Sequence, residues 1–298
     1  LKDRMSHGIA EEPSIFKAAA WMTGTLLSFT FIAIAVRELH AAEIHTFEML
    51  AMRSLVGLIV VTCIAWRFGW HLIRTYQLKL QVGRNIVHFG GQSTWIYGLS
   101  LLPLAEVFAI EFTIPIWVAL LAVIFLGERM TKGRFIAISG GFLGVLVILQ
   151  PGIEIIQLGA FVVLGSAICF GTAITCTKKL VSTDSPLAVL FFMCLIQLPM
   201  GLIPALFVWV TPQGIELLYF VIIGLMGLSA HYCEAHAFRH ADATVVIPLQ
   251  FLRLPLISIA GFLLYDESLE LAVFLGAILI FSGNYYNIRL EAWRQKAD

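Results

Sequence analysis

The chain has 298 residues, 59% of them hydrophobic and 13% charged, with a formal net charge of zero. Soluble domains carry about a quarter charged residues, so one core cannot hide this much apolar surface and lipid must solvate much of it. The zero balance also argues against a nucleic-acid partner, which needs a concentrated basic face.

Residues 1–15 are read as a polar cytoplasmic segment. The apolar run that follows is too long for a signal peptide and has no cleavage site after it, so it is expected to be a retained span. Each apolar run approaches the roughly 20 residues that cross about 30 Å of hydrocarbon. The predicted spans are Phe16–Val36, Thr46–Trp66, Val82–Leu101, Leu104–Leu126, Phe135–Leu149, Leu158–Thr177, Leu187–Val210, Ile215–Ala237, Thr244–Tyr265 and Leu271–Ile288. Breakers such as Leu102-Pro103, Gln150-Pro151-Gly152, Thr183-Asp184-Ser185-Pro186 and Thr211-Pro212-Gln213-Gly214 separate them. Residues 289–298 form a cytoplasmic tail. Most connections are short, so neighbouring spans are expected to be antiparallel.

Orientation follows from the basic residues. With the N-terminus inside, the inner segments hold Lys2, Arg4, Lys17, Arg67, Arg74, Lys79, Arg84, Arg129, Lys132, Arg134, Lys178, Lys179, Arg239, Arg289, Arg294 and Lys296, whereas Arg37 lies outside. Such asymmetry is the positive-inside pattern. It places both termini in the cytoplasm of, by expectation, a bacterial inner membrane.

An internal repeat matches this count. Glu128 precedes Gly144 by the same interval that separates Glu267 from Gly283, and Pro115 and Pro255 stand at similar distances before the two acids. Residues 16–152 and 153–288 thus form two copies of five spans. An odd number of spans inverts the second copy, placing Glu128 inside and Glu267 outside. The expected fold is all-α integral membrane, ten helices as two inverted five-helix repeats around a central cavity. Inverted repeats are typical of alternating-access carriers.

Ile114-Pro115-Ile116-Trp117, Leu126-Gly127-Glu128-Arg129 and Ser139-Gly140-Gly141-Phe142-Leu143-Gly144 recur as Leu254-Pro255-Leu256, Tyr265-Asp266-Glu267 and Ile280-Phe281-Ser282-Gly283. In these motifs the chain resembles the EamA family of the drug/metabolite transporter superfamily, although Asp266 replaces the Gly before the second acid. His45-Thr46-Phe47-Glu48 with Arg53, Ser93-Thr94-Trp95-Ile96-Tyr97-Gly98 and Asp242-Ala243-Thr244 resemble the subgroup containing S-adenosylmethionine carriers. The resemblance implies a ten-span carrier, an exporter or exchanger, of an amino acid or an S-adenosylmethionine-like or nucleoside-like compound. A passive channel and a membrane-embedded enzyme are the alternatives.

A charge near the bilayer centre costs about 2.5–3.5 kcal/mol and needs a reason. Arg53 and Glu111 lie at similar depth and are expected either to form a pair that docks a zwitterion or to be a static ion pair, with Glu48 and Glu106 as rival partners for Arg53. Arg253, the most central charge, lies beside Pro255. It is expected to line the cavity and bind a substrate carboxylate, or to pair with Glu111. Pro115 and Pro255 are the expected hinges, flexing as the two halves rock. His88, His231 and Glu234 are candidates for proton coupling, the last two sharing one helical face; buried, hydrogen-bonded histidines are the alternative.

Trp95, Tyr97 and Trp117 are candidates for stacking on a flat substrate or for plain packing. Small residues such as Gly140, Gly141 and Gly144 permit close helix approach. His231 and His236 are five apart and diverge, so no metal site is expected. The scattered cysteines suggest neither disulfide nor zinc, no motif calls for a cofactor, and ATP hydrolysis lacks a Walker motif. The polar residues are read as clusters limited in depth, unlike a channel's continuous stripe. Expected partners are a small-molecule substrate and the bilayer, with the chain a monomer or a homodimer.

Overall fold

The computed structural model describes residues 15–126, 132–149, 157–180, 183–240, 249–250 and 252–295. All regular structure among them is helical: α1 (Ile15–Ala41), α2 (Thr46–Phe68), α3 (Leu78–Leu101), α4 (Leu104–Glu111), α5 (Ile114–Leu126), α6 (Lys132–Leu149), α7 (Leu158–Leu180), α8 (Pro186–Ala205), α9 (Glu216–His240), α10 (Arg253–Tyr265) and α11 (Leu271–Gln295), with a 3₁₀ turn at Trp70–Ile73. Glu128, Gln150-Pro151-Gly152 and Asp242-Ala243-Thr244 lie outside the described residues.

Local chemistry sets the ends. The His45 ring accepts the Phe47 N–H at 3.2 Å and caps α2, which stops at Gly69 with φ 122°. Ser185 caps α8 through the Ala188 N–H at 3.0 Å, and Pro186 occupies the first helical position, where no N–H is required. α1 runs to Ala41 and α11 to Gln295, both beyond the predicted spans, because polar helix ends extend past the apolar stretch that hydropathy detects. α8 stops at Ala205, short of the predicted Val210.

The fourth span is not one helix. Thr113 N–H turns to the Ile110 carbonyl at 3.0 Å, three residues back, and α4 ends at Glu111 before α5 begins at Ile114. Pro115 brings no N–H for the Glu111 carbonyl. The expected mid-helix hinge is therefore the first turn of a new helix. The ninth span repeats the design: Leu252 forms a turn to Leu249 at 3.1 Å, and Pro255 is the third residue of α10.

Among the described residues, five helices are long and apolar enough to cross a membrane, within Phe16–Ala41, Thr46–Phe68, Leu158–Thr177, Pro186–Ala205 and Glu216–Glu234. Four of the others fall short for visible reasons. α3 carries Gln81, Arg84, Asn85, His88 and Gln92 on its buried face, while α4, α5 and α10 are half-length segments. The outer surface of the bundle is apolar, with Phe207, Leu263 and Leu271 largely exposed. Water would penalise such a surface; lipid would not.

Packing interlocks the two halves of the chain. α1 lies on α9, α3 on α7, α2 on α8 and α6 on α11, with further contacts of α2 with α9, α3 with α8, α5 with α7, α1 with α10 and α4 with α10. Exchanging each span for the one five further along turns every pairing into another of the same set. Each extensive contact joins the first half to the second. The expectation that the halves rock as separate bodies is therefore corrected: neither half packs mainly against itself. The α6–α11 crossing brings backbones together, since a Cβ on Gly144 would meet the Gly276 carbonyl at 2.6 Å. At the centre runs α4, where Leu104, Val107, Phe108, Ala109 and Ile110 are fully buried.

Candidate functional site

The buried short helix α4 delivers Glu111 to the middle of the bundle, facing the first turn of α10. Arg253 Nη2 donates to Glu111 Oε1 at 2.9 Å, and Trp95 Nε1 on α3 donates to Oε2 at 2.9 Å. The guanidinium lies 4.6 Å from the Phe29 ring centroid, 4.8 Å from Phe108 and 5.4 Å from Phe112. Ring faces attract a desolvated cation. Trp95 stands edge-on to Phe108 at 5.8 Å. Arg253 Nε–H has no hydrogen-bond partner among the described residues. Glu234 on α9 accepts from Gln250 Nε2 at 2.5 Å, with Arg253 and Glu111 as its charged neighbours.

This overturns the Arg53–Glu111 pair. Equal depth says nothing about which helices are neighbours, and α4 meets α10 rather than α2. Arg53 turns toward α3, where the Gln92 oxygen accepts from Nη1 at 2.8 Å and Nη2 at 3.1 Å. The Gln92 nitrogen donates to Gln197 Oε1 at 2.8 Å, and Gln197 Nε2 contacts His88 Nδ1 at 2.9 Å. Glu48 is no partner of Arg53 either; its Oε2 accepts the Val210 N–H at 3.1 Å.

The polar line continues along α3. Arg84 donates to Asn85 Oδ1 at 2.8 Å and to Thr177 Oγ1 at 3.1 Å, and Gln81 Nε2 donates to Asp184 at 3.0 Å. Gln81, Arg84, Asn85, His88, Gln92 and Trp95 recur every three or four residues, so they share one helical face. The expectation of depth-limited clusters is thus corrected to one continuous stripe. Hydrogen bonds close it, so it is not an open pore.

His231, on α9 with Glu234, lies within the electrostatic reach of Arg53 and Arg84. His236 stacks on Trp21 at 4.7 Å. Tyr97 is half-exposed, because two residues along a helix point about 200° from Trp95; it does not line this centre. Trp117 donates to Thr113 at 3.2 Å and packs over Gly171 on α7.

Both ends of the bundle are tied. Arg37 forms an ion pair with Glu267 and donates to the Leu99 and Leu102 carbonyls at 3.1 and 2.6 Å. Glu267 Oε2 also accepts the Leu104 N–H at 2.8 Å, at the start of α4. At the opposite end Asp184 accepts from Thr75, Tyr76 N–H, Gln81 and Thr183. Burial opposes its charge, but the four donors together outweigh it and hold the carboxyl below its usual range.

A bundle of apolar helices, two of them interrupted at a buried ion pair and one carrying a polar stripe, is the architecture of a multi-pass membrane transporter. The chain belongs to the EamA-like transporter family, within the drug/metabolite transporter superfamily, whose family model matches twice, over residues 16–150 and 157–289. This is a family of transporters, not enzymes. The chain is 27% identical to an S-adenosylmethionine uptake transporter of Rickettsia felis, over 84% of this chain and 85% of that one. It is 28% identical to a riboflavin transporter of Rhizobium johnstonii, over 99% of both, and 23% identical to a pseudopaline exporter of Pseudomonas aeruginosa, over 87% and 92%. One protein crystal structure shares the fold, with a TM-score of 0.64 at 18% identity, covering 95% of this chain and 99% of the other.

Proposed function

We propose that the protein is a secondary carrier moving one small organic metabolite by alternating access, through ten spans arranged as two inverted repeats in a bacterial inner membrane, with both termini cytoplasmic. The observation that carries this reading is the meeting of two interrupted helices at Arg253–Glu111, inside aromatic rings. A broken helix exposes backbone polar groups only where protein or a polar path can satisfy them. The exchange symmetry of the helix pairings supports the repeats, and the basic residues support the orientation.

Three groups suit a flat, polar cargo at the centre: the free Arg253 Nε–H, Trp95 beside Glu111, and the Phe29, Phe108 and Phe112 rings. The named relatives make S-adenosylmethionine and riboflavin the first compounds to test. Relatives named for uptake and for export leave direction to experiment. Because the halves interlock, the moving bodies are mixed groups of helices, with the breaks at residues 112–113 and 252 as the flexing points.

The test is counterflow in liposomes containing the purified protein. Unlabelled compound inside should accelerate entry of the labelled compound, and substitution of Arg253 should abolish it. Flux without trans-stimulation would replace the carrier with a channel. Labelling that placed Glu128 and Glu267 on one face of the membrane would remove the inverted repeat.

A further inference from the structure

The inward-facing arginines divide by how their charge is met. Arg253 has Glu111, and Arg37 has Glu267. Arg53 and Arg84 have no carboxylate partner among the described residues; Gln92 holds the first, and Asn85 and Thr177 hold the second. Neutral oxygens orient a guanidinium without cancelling its charge. Arginine cannot shed its proton to escape the problem, and a bare charge in the span is costly.

One chain of hydrogen bonds joins the two guanidiniums: Arg53 donates to Gln92, Gln92 to Gln197, Gln197 Nε2 to Asn85 Oδ1 at 3.3 Å, and Arg84 Nη1 to the same Asn85 oxygen at 2.8 Å. His88 and His231 lie within the electrostatic reach of both charges. Arg53 keeps five N–H donors and gives only two of them to Gln92. Its Nε lies where a Cβ on Gly227 would approach to 3.2 Å, so the missing side chain on α9 makes room beside it. Arg53 is only part-buried, and its contacts on α3 and α9 turn it inward.

We propose that Arg53 and Arg84, flanked by His88 and His231, form an oxyanion site that binds the carboxylate or phosphate group of the transported metabolite. The inference rests on the carrier reading and extends it. The site lies apart from the Arg253–Glu111 centre, whose charges already cancel. A cargo carrying both an oxyanion and a flat ring would reach both, with its anion at Arg53 and Arg84 and its ring near Trp95. Planar guanidinium forks suit carboxylate and phosphate geometry.

Thermal unfolding of the purified full chain, titrated with acetate or phosphate against chloride at constant ionic strength, tests this directly. Either oxyanion should raise the unfolding temperature saturably; the acetate arm identifies a carboxylate site and the phosphate arm a phosphate site. Arg53→Gln and Arg84→Gln should each weaken the apparent affinity at least tenfold, whereas Arg74→Gln on the exposed surface should leave it intact. If either glutamine variant fails to fold, the wild-type titration and Arg53→Lys, which keeps charge but loses the fork, still decide. Absence of any saturable shift in the wild type, or affinity unchanged in the substituted proteins, overturns the site. Counterflow that persists without an oxyanion shift sinks this site alone. Oxyanion binding without counterflow sinks the carrier reading and, with it, the assignment of the site to a transported metabolite.

Discussion

Glu111 is the residue on which the central geometry turns, since it joins three helices through Arg253, Trp95 and the end of α4. Removing one member of a buried pair costs about 3–5 kcal/mol, because the other charge is left without compensation. Glu111→Leu should therefore lower the unfolding temperature markedly. Combining it with Arg253→Met should recover most of the stability, measured as a double-mutant cycle, while counterflow stays lost in both. The sequence offered both Arg53 and Arg253 as partners for Glu111, and the structure selects Arg253. The depths of Arg53, Glu111 and Arg253 could be counted, but their azimuths around the bundle could not, and azimuth decided the partners. The Gln92–Gln197 pair was missed because amides raise no alarm in a hydropathy profile. Their polarity also sets the imidazole: Gln197 spends its oxygen on Gln92, so His88 Nδ1 must accept and Nε2 carries the hydrogen.

At the scale of single elements, hydropathy located the helices well and their interruptions poorly. Pro115 and Pro255 marked the right places, yet a proline near a break reads the same in sequence as a proline in a kinked, continuous helix. The polar stripe on α3 was readable from the spacing of Gln81, Arg84, Asn85, His88 and Gln92, once the period was followed instead of the individual charges. Gly144 and Gly276 allow α6 and α11 to touch backbone to backbone. Gly144→Leu should force the pair apart, costing about 1–3 kcal/mol or more, and a lowered unfolding temperature checks it. Asp184 ties the turn at 75–77 to the start of α8. Its folded carboxyl titrates below the ordinary value of 3.8, so its stabilisation is complete above that value and fades as pH falls through the lower folded one. Asp184→Asn should thus be less stable than the wild type at neutral pH, with the gap closing below about pH 4 in a melting series.

For the whole molecule, the Arg37–Glu267 tie holds α1, the α3–α4 junction and the segment after α10 at one end of the bundle. Glu267→Gln should loosen that end. A Leu102→Cys reporter, buried here, should react faster with a membrane-impermeant maleimide in that background than with Glu267 intact; equal rates would show that the tie does not gate access. The repeat in the sequence announced two copies, but not that each helix would seek its main neighbour in the other copy. A nascent chain feels this directly. When α4 has been made, Glu111 waits for an arginine that arrives some 140 residues later in the sequence, and Arg53, Gln92 and His88 wait for Gln197. Synthesis of the first copy alone should leave those groups facing lipid and invite proteolysis. Two separately expressed pieces, 1–152 and 153–298, should find one another and accumulate only together, since nearly all their adhesive surface is reserved for the absent half.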